Sequence, residues 1–138
     1  METTKVALIG LGTVGSGVAQ VLLSHGDRIA CQAGRPLELA TIIVTDVEKP
    51  RSLQLPEGLL SSDLESLIND PAIPVVIQLI GGLEPARTIM LRLLESGKDV
   101  ITANKALLAE HGNELFERAR QLGRSIAFEA SVCGGIPI

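Results

Sequence analysis

Gly10-Leu11-Gly12-Thr13-Val14-Gly15 follows a short apolar run, Val6-Ala7-Leu8-Ile9, and opens a segment of helical spacing. A strand, a glycine turn and a helix N-terminus therefore succeed one another directly. Each glycine has a separate task in such a unit. The first makes the tight turn out of the strand, the second lets a pyrophosphate approach the backbone, and the third lets the helix pack close to the sheet. The phosphates then rest on unpaired N–H groups at the positive end of the helix dipole. A glycine-rich turn can also serve packing alone. Its place directly after a strand, near the start of the chain, favours a dinucleotide site.

Around this turn, residues 5–9 form the first strand. The helix behind the turn carries Val14, Val18, Val21 and Leu22 with i, i+4, i+7 spacing, the expected buried face. It ends near Ser24-His25-Gly26, with Gly26 as a left-handed cap and His25 complementing the dipole. Residues 27–36 read as a polar connection and residues 37–44 as a second strand, tipped by Thr45-Asp46. In a dinucleotide fold this tip faces the adenosine ribose. An acidic group there bonds the 2′-hydroxyl, and a basic one welcomes a 2′-phosphate. Asp46 offers one sign, Lys49 and Arg51 the other, so NAD and NADP both remain open. The three also read as plain solvated loop charges.

Residues 47–60 form a proline-containing loop without period. Ser62-Asp63-Leu64-Glu65 is a capping box before a short helix with Leu64, Leu67 and Ile68. Residues 74–80 (Pro-Val-Val-Ile-Gln-Leu-Ile) read as a run apolar but for one Gln, the mark of a parallel strand covered on both faces. Gly81-Gly82 ends that strand where ligands bind in open α/β sheets. The next helix begins near Glu84-Pro85, with proline in its first turn, and turns Ala86, Ile89, Met90 and Leu93 inward. Residues 98–102 are a strand. Residues 113–122 form an amphipathic helix with Leu115, Phe116, Ala119 and Leu122 inside, and residues 125–128 a last strand. Five strands alternating with helices imply an α/β fold, a doubly wound parallel sheet of the dinucleotide-binding type. Right-handed crossovers bring every strand C-terminus to the edge that holds the glycine turn.

Composition sets the outer limits. The 138 residues make one domain, 1–138, and at 46% hydrophobic they can bury a core. With two Phe and no Tyr or Trp, the core is aliphatic and offers no aromatic platform for bases. A net charge of −4 without a long basic run argues against a nucleic-acid surface. No apolar stretch approaches the roughly 18 residues of a membrane span, and the first residues do not read as a signal peptide. Cys31 and Cys133 lack metal-ligand spacing, so a reduced, cytoplasmic setting is the simplest reading. The apolar ending Gly134-Gly135-Ile136-Pro137-Ile138 reads as a truncation at a domain junction.

Four blocks taken together resemble homoserine dehydrogenase. They are Gly10-x-Gly12-Thr13-Val14-Gly15, Gly81-Gly82-x-Glu84-Pro85-Ala86, Val100-Ile101-Thr102-Ala103-Asn104-Lys105, and Glu129-Ala130-Ser131-Val132-x-Gly134-Gly135-Ile136-Pro137. The resemblance covers only that family's N-terminal, cofactor-binding part. Its substrate-binding and dimerisation region would follow, so the full-length protein would be a homo-oligomer. It implies NAD(P)-dependent interconversion of L-homoserine and L-aspartate 4-semialdehyde, on the route to threonine, methionine and isoleucine. By resemblance, Thr13 and Val14 contact the cofactor, with Gly81, Gly82 and Thr102 in the same site. Lys105 lies near the nicotinamide with a role in proton transfer. Glu129, Val132, Gly134 and Ile136 match a monovalent-cation site for Na+, one side chain and three backbone carbonyls. Thr45 stands where many members carry an arginine suited to a 2′-phosphate, and Cys133 where a small residue is usual. Neither a helix start nor a histidine partner marks Cys133 as a nucleophile. Other readings are a different oxidoreductase of this fold, such as an aspartate dehydrogenase, and a non-enzymatic NAD(H)-sensing module.

Overall fold

β1 (Thr4–Ile9) lies at the centre of the sheet because four successive apolar residues, Val6, Ala7, Leu8 and Ile9, can be buried on both faces. The computed structural model describes residues 2–128. After β1 come α1 (Thr13–Ser24), α2 (Gly26–Ala33), β2 (Leu37–Ile43), β3 (Leu60–Ser61), α3 (Leu64–Asn69) and β4 (Val75–Gln78). Then follow α4 (Ala86–Glu95), β5 (Asp99–Thr102), α5 (Lys105–Leu122) and β6 (Ile126–Ala127). The order across the sheet is β3-β2-β1-β4-β5-β6, with every pair parallel. The expected doubly wound sheet is thus the fold, and its strand order reverses between β1 and β4. A reversal of this kind opens a crevice beyond the strand C-termini.

Alternation along the strands divides the core. Ala7, Ile9, Ile43, Val76 and Val100 face α3, α4 and α5 through Leu67, Met90, Leu93, Leu115 and Ala119. Leu8 and Ile42, with Ile77 and Leu79, face α1 and the leucines of the 44–60 segment. Leu53, Leu55 and Leu59 pack beneath the sheet, and Leu60–Ser61 adds a sixth strand beside β2. The segment expected as a plain loop is therefore anchored by side chains too widely spaced to give a period.

Several expectations are corrected. Gly15 and Ala19 form the buried stripe of α1, whereas Val14 is 58% and Val21 49% exposed. Only small residues fit where α1 crosses the sheet closely, and hydrophobic spacing alone does not reveal that. α1 ends on His25 (φ −125°) rather than on a left-handed Gly26, which instead begins α2; the expected polar connection is this helix, which buries no residue and ends on left-handed Gly34 (φ 73°). The cap of α3 is Asp63, which accepts the Ser66 N–H at 3.0 Å and its hydroxyl at 2.6 Å. Glu65, expected to close a capping box, instead meets both Nη atoms of Arg92 at 2.7 Å and joins α3 to α4. Pro85 precedes α4 as its N-cap rather than occupying its first turn. The helix expected from residue 113 begins at Lys105 and runs unbroken for 18 residues. Phe116, expected inside, is at the margin of α5 and packs edge-to-face on Phe128, with ring centroids 5.1 Å apart.

Two further ties hold the helical layer. Arg87 of α4 grips Glu114 of α5 with both carboxylate oxygens, one of them at 2.8 Å from Nε, and Arg118 meets Glu95 at 3.0 Å. Lys98, 2% exposed at the start of β5, donates to the carbonyls of Asp70 (2.6 Å) and Ile73 (2.8 Å). Burial pushes its ammonium below the usual lysine range, against a smaller pull from Asp70.

Lys98→Met should orphan two carbonyls and destabilise the chain by about 2 kcal/mol, read from urea unfolding. Hydrogen bonding to Arg92 and to Arg87 holds the Glu65 and Glu114 carboxylates below the usual glutamate value of 4.5. Groups depressed on folding stabilise above the unfolded value and lose that contribution as pH falls through the folded one. The thermal midpoint should therefore drop below pH 4.5, and Glu114→Gln should flatten that drop.

Candidate dinucleotide site

The end of β1 is fixed from both sides. The Gly10 N–H donates to the Ile43 carbonyl of β2 at 2.9 Å, and the Leu79 N–H donates to the Ile9 carbonyl at 2.8 Å. Gly10 then turns the chain with a left-handed φ of 95°. At Gly15, a Cβ would lie 2.3 Å from the Gly10 carbonyl oxygen, closer than real Cβ atoms come. The first turn of α1 is thereby seated against the strand end. Gly12 differs from both, since a Cβ there would meet nothing within 4 Å. Its bareness serves no packing inside the chain and leaves room for an approaching group. As N-cap it makes no side-chain capping bond, and α1 has no acidic residue in its first turn. The first N–H groups of the helix therefore present a positive dipole end with no acidic side chain of their own turn to match it.

Two clefts open beside this turn. The larger, of 560 Å³, runs from Gly10, Leu11 and Gly12 past Thr45 and Asp46 to Lys49, Arg51 and Ser62, with Ile80 and Pro85 on the opposite wall. The smaller, of 270 Å³, is lined by Val14, Ile80, Gly81, Ala103, Asn104 and Lys105. Ile80 borders both, so they adjoin beside the glycine turn, and the two together are termed the groove. The fold thus brings Gly10, Gly12, Val14, Thr45, Asp46, Gly81 and Lys105 to one edge. Gly15, Gly82 and Thr102 line neither cleft, Gly15 and Thr102 being buried and Gly82 exposed, while Thr13 is exposed at the start of α1. The expected cation ligands Glu129, Val132, Gly134 and Ile136, and Cys133, lie outside the described residues. Among the described residues no group of His, Cys, Asp or Glu could hold a metal ion.

At the larger cleft the β2 tip is organised by its own charges. Asp46 accepts the Glu48 N–H at 3.0 Å, and the Arg51 guanidinium donates to the carbonyls of Asp46 (2.9 Å) and Lys49 (2.8 Å). The Arg51 charge is thereby fixed at the end of the groove that faces a ribose in such folds. At the smaller cleft Lys105 begins α5, exposed, in a first turn without acidic residues. A cation at a helix N-terminus opposes the dipole by roughly 0.3–1 kcal/mol, so helix stability does not account for it.

Two residues in this region were not singled out from sequence. Asn104 caps α5, accepting the Leu107 N–H at 3.0 Å. Gln78, fully buried in β4, accepts the Thr102 hydroxyl at 3.3 Å. The signals were an Asn before an apolar helical segment and a lone amide inside an apolar strand.

The groove can hold an elongated anionic ligand: phosphates on the α1 amides, one end among Thr45, Asp46 and Arg51, the other beside Lys105. Comparison with known proteins places the domain in a family. Residues 10–129 match the family model described as homoserine dehydrogenase, NAD binding domain. The chain is 44% identical over 138 residues to a homoserine dehydrogenase of Bacillus subtilis, covering 100% of this chain and 32% of that protein. It is 43% identical over 136 residues to one from Synechocystis, covering 99% and 31%. The crystal structure of a homoserine dehydrogenase from Thiobacillus denitrificans superposes with a TM-score of 0.86 at 40% identity, covering 94% of this chain and 30% of the other. One from S. aureus at pH 7.5 gives 0.86 at 35%, covering 94% and 34%. The chain thus spans about a third of the length of these relatives.

Gly15→Ala should drive its methyl into the Gly10 carbonyl and lower stability by about 1–3 kcal/mol. Gly12→Ala should leave the thermal midpoint nearly unchanged. Differential scanning fluorimetry of both variants checks the contrast.

Proposed function

The chain belongs to the family of homoserine dehydrogenase NAD-binding domains, and on that premise we propose that it is the cofactor-holding part of an enzyme interconverting L-homoserine and L-aspartate 4-semialdehyde. The reaction would supply threonine, methionine and isoleucine synthesis. The observation that carries the reading is Gly12, bare toward open space above a helix end with neither cap nor acid. NAD or NADP fits these residues: the N-terminal amides of α1 take the pyrophosphate, and the β2 tip takes the adenosine half. When bound, the nicotinamide ring supplies the hydride-transfer chemistry.

The chain's own residues do the rest. Gly10 and Gly15 hold the strand end and helix start in contact, and Gly12 keeps their outer surface clear. Ile80 and Pro85 give the larger cleft an apolar lining. Lys105 stands at the smaller cleft, where its ammonium would stabilise negative charge developing on a carbonyl oxygen or pass it a proton. Asp46 suits a free 2′-hydroxyl and Arg51 a 2′-phosphate, so either cofactor is accommodated. Under the same reading Na+ sits on Glu129 and the carbonyls of Val132, Gly134 and Ile136, oxygen donors that suit a hard cation. The groups that grip the substrate, and the contacts that make a cytoplasmic homo-oligomer, belong to the remaining two thirds of a full-length enzyme.

The 138-residue chain should quench or enhance NADH or NADPH fluorescence on titration, and Gly12→Val should abolish the signal without unfolding the chain. Thr45→Arg should move preference toward the 2′-phosphate by about tenfold, or roughly 1.4 kcal/mol. The chain alone should show no steady homoserine oxidation. Turnover by it, or dinucleotide binding untouched by Gly12→Val, would refute this division of labour.

A further inference from the structure

The polar groups behind the smaller cleft form one chain of hydrogen bonds. Asn104, 7% exposed, is its junction. Its Nδ2 donates to the carbonyls of Gly82 (2.7 Å) and Ile80 (3.2 Å). Its Oδ1 accepts the Leu107 N–H at 3.0 Å, and its own N–H donates to the Thr102 hydroxyl at 3.2 Å. Thr102 in turn donates to Gln78 Oε1 at 3.3 Å, and Gln78 Nε2 reaches the Ala86 carbonyl at 3.5 Å. Four pieces of chain converge on these side chains: the ends of β4 and β5 and the starts of α4 and α5. Among the described residues no buried side-chain nitrogen or oxygen is left unpartnered.

The chemistry required of position 104 is narrow. Two carbonyls and one N–H must be satisfied by a single short side chain. Only a carboxamide carries two donors and an acceptor at that length. The orientation of the amide follows, because the carbonyls can only accept. Serine or aspartate could cap α5, but neither can also hold the Gly81–Gly82 turn. That turn needs holding, since Gly82 adopts a left-handed φ of 79° and a Cβ at Gly81 or Gly82 would meet nothing within 4 Å. No side chain of its own fixes it.

We propose that Asn104 is a positioning residue for the nicotinamide half of the groove, tying the Gly81–Gly82 turn to the helix start that presents Lys105. The assignment rests on the dinucleotide reading given above. Gly81 and Lys105 both line the smaller cleft, and Asn104, which lines it between them, is the covalent neighbour of Lys105 and the hydrogen-bonded anchor of the loop that holds Gly81. Of the residues that Asn104 binds through its amide donors, Ile80 also borders the larger cleft, which receives the adenosine half, whereas Gly81, Asn104 and Lys105 line the smaller cleft and not the larger. Loss of the anchor therefore acts mainly on the nicotinamide half of the ligand.

The test separates capping from positioning. Asn104→Ser and Asn104→Asp retain a cap acceptor for α5 and remove the donors to Ile80 and Gly82. For each, affinity is measured for ADP-ribose, which lacks the nicotinamide, and for whichever of NADH or NADPH the wild-type chain binds more tightly. The expected result is an affinity for the full dinucleotide lowered by about tenfold or more, with ADP-ribose within about twofold. Equal losses for both ligands, or none, overturn the assignment. A wild-type chain that binds neither ligand overturns the dinucleotide reading and this assignment with it. An independent measure needs no variant. In the NMR spectrum of the wild-type chain the Asn104 carboxamide protons should exchange slowly, unlike those of exposed Asn113. Exchange as fast as Asn113 refutes the anchor.

Discussion

Among the glycines of the described residues the tightest approach is that of Gly15 to the Gly10 carbonyl, where even one methyl carbon would be 2.3 Å from oxygen. This contact seats the start of α1 on the end of β1. From it follow the direction of the helix dipole, the exposure of the Gly12 backbone and the choice of Gly15 and Ala19, flanked by half-buried Val18 rather than by Val14 and Val21, as the buried stripe of α1. The sheet supplies the counterpart. Bonds from Gly10 to Ile43 and from Leu79 to Ile9 fix the strand end between its neighbours, so the turn cannot yield by shifting outward.

The two halves of the groove are built by different physics. At the β2 tip, charges organise an exposed loop: Arg51 gathers two carbonyls while Asp46 turns to the Glu48 N–H. Such exposed contacts are screened by solvent and leave the tip adaptable. At the ends of β4 and β5, the polar groups are buried and fully paired around Asn104. In low dielectric such a network is rigid, because each broken bond strands a partner away from water. Under the proposed reading, an adaptable adenosine end and a rigid nicotinamide end would suit a ligand whose chemistry requires exact placement at one end only.

Much of the fold is legible in consecutive residues. The apolar runs ending at Ile9 and Ile80 mark buried parallel strands, and the glycine turns after each mark the edge where a ligand binds. The site is legible in part. The glycine turn, Thr45, Asp46, Gly81 and Lys105 all reach the groove. Asn104 is hidden inside a motif valued for its lysine, and Gln78 inside a strand valued for its apolarity. Local signals fail where two residue types compete for one job. Ser62 with Glu65 makes a better capping pattern than Asp63 with Ser66, yet the latter caps α3, because Glu65 is drawn to Arg92 on the neighbouring helix.

By itself, then, the sequence determined the periodic elements, the parallel sheet and the dinucleotide turn, because burial on two faces and glycine stereochemistry are written in neighbouring positions. Only the tertiary structure decided which stripe of α1 lies inward, that a sixth strand joins β2, and that one asparagine holds a loop 22 residues earlier in the chain. Those outcomes depend on which atoms meet across the sheet, and contact between segments distant in sequence leaves no period and no spacing to read.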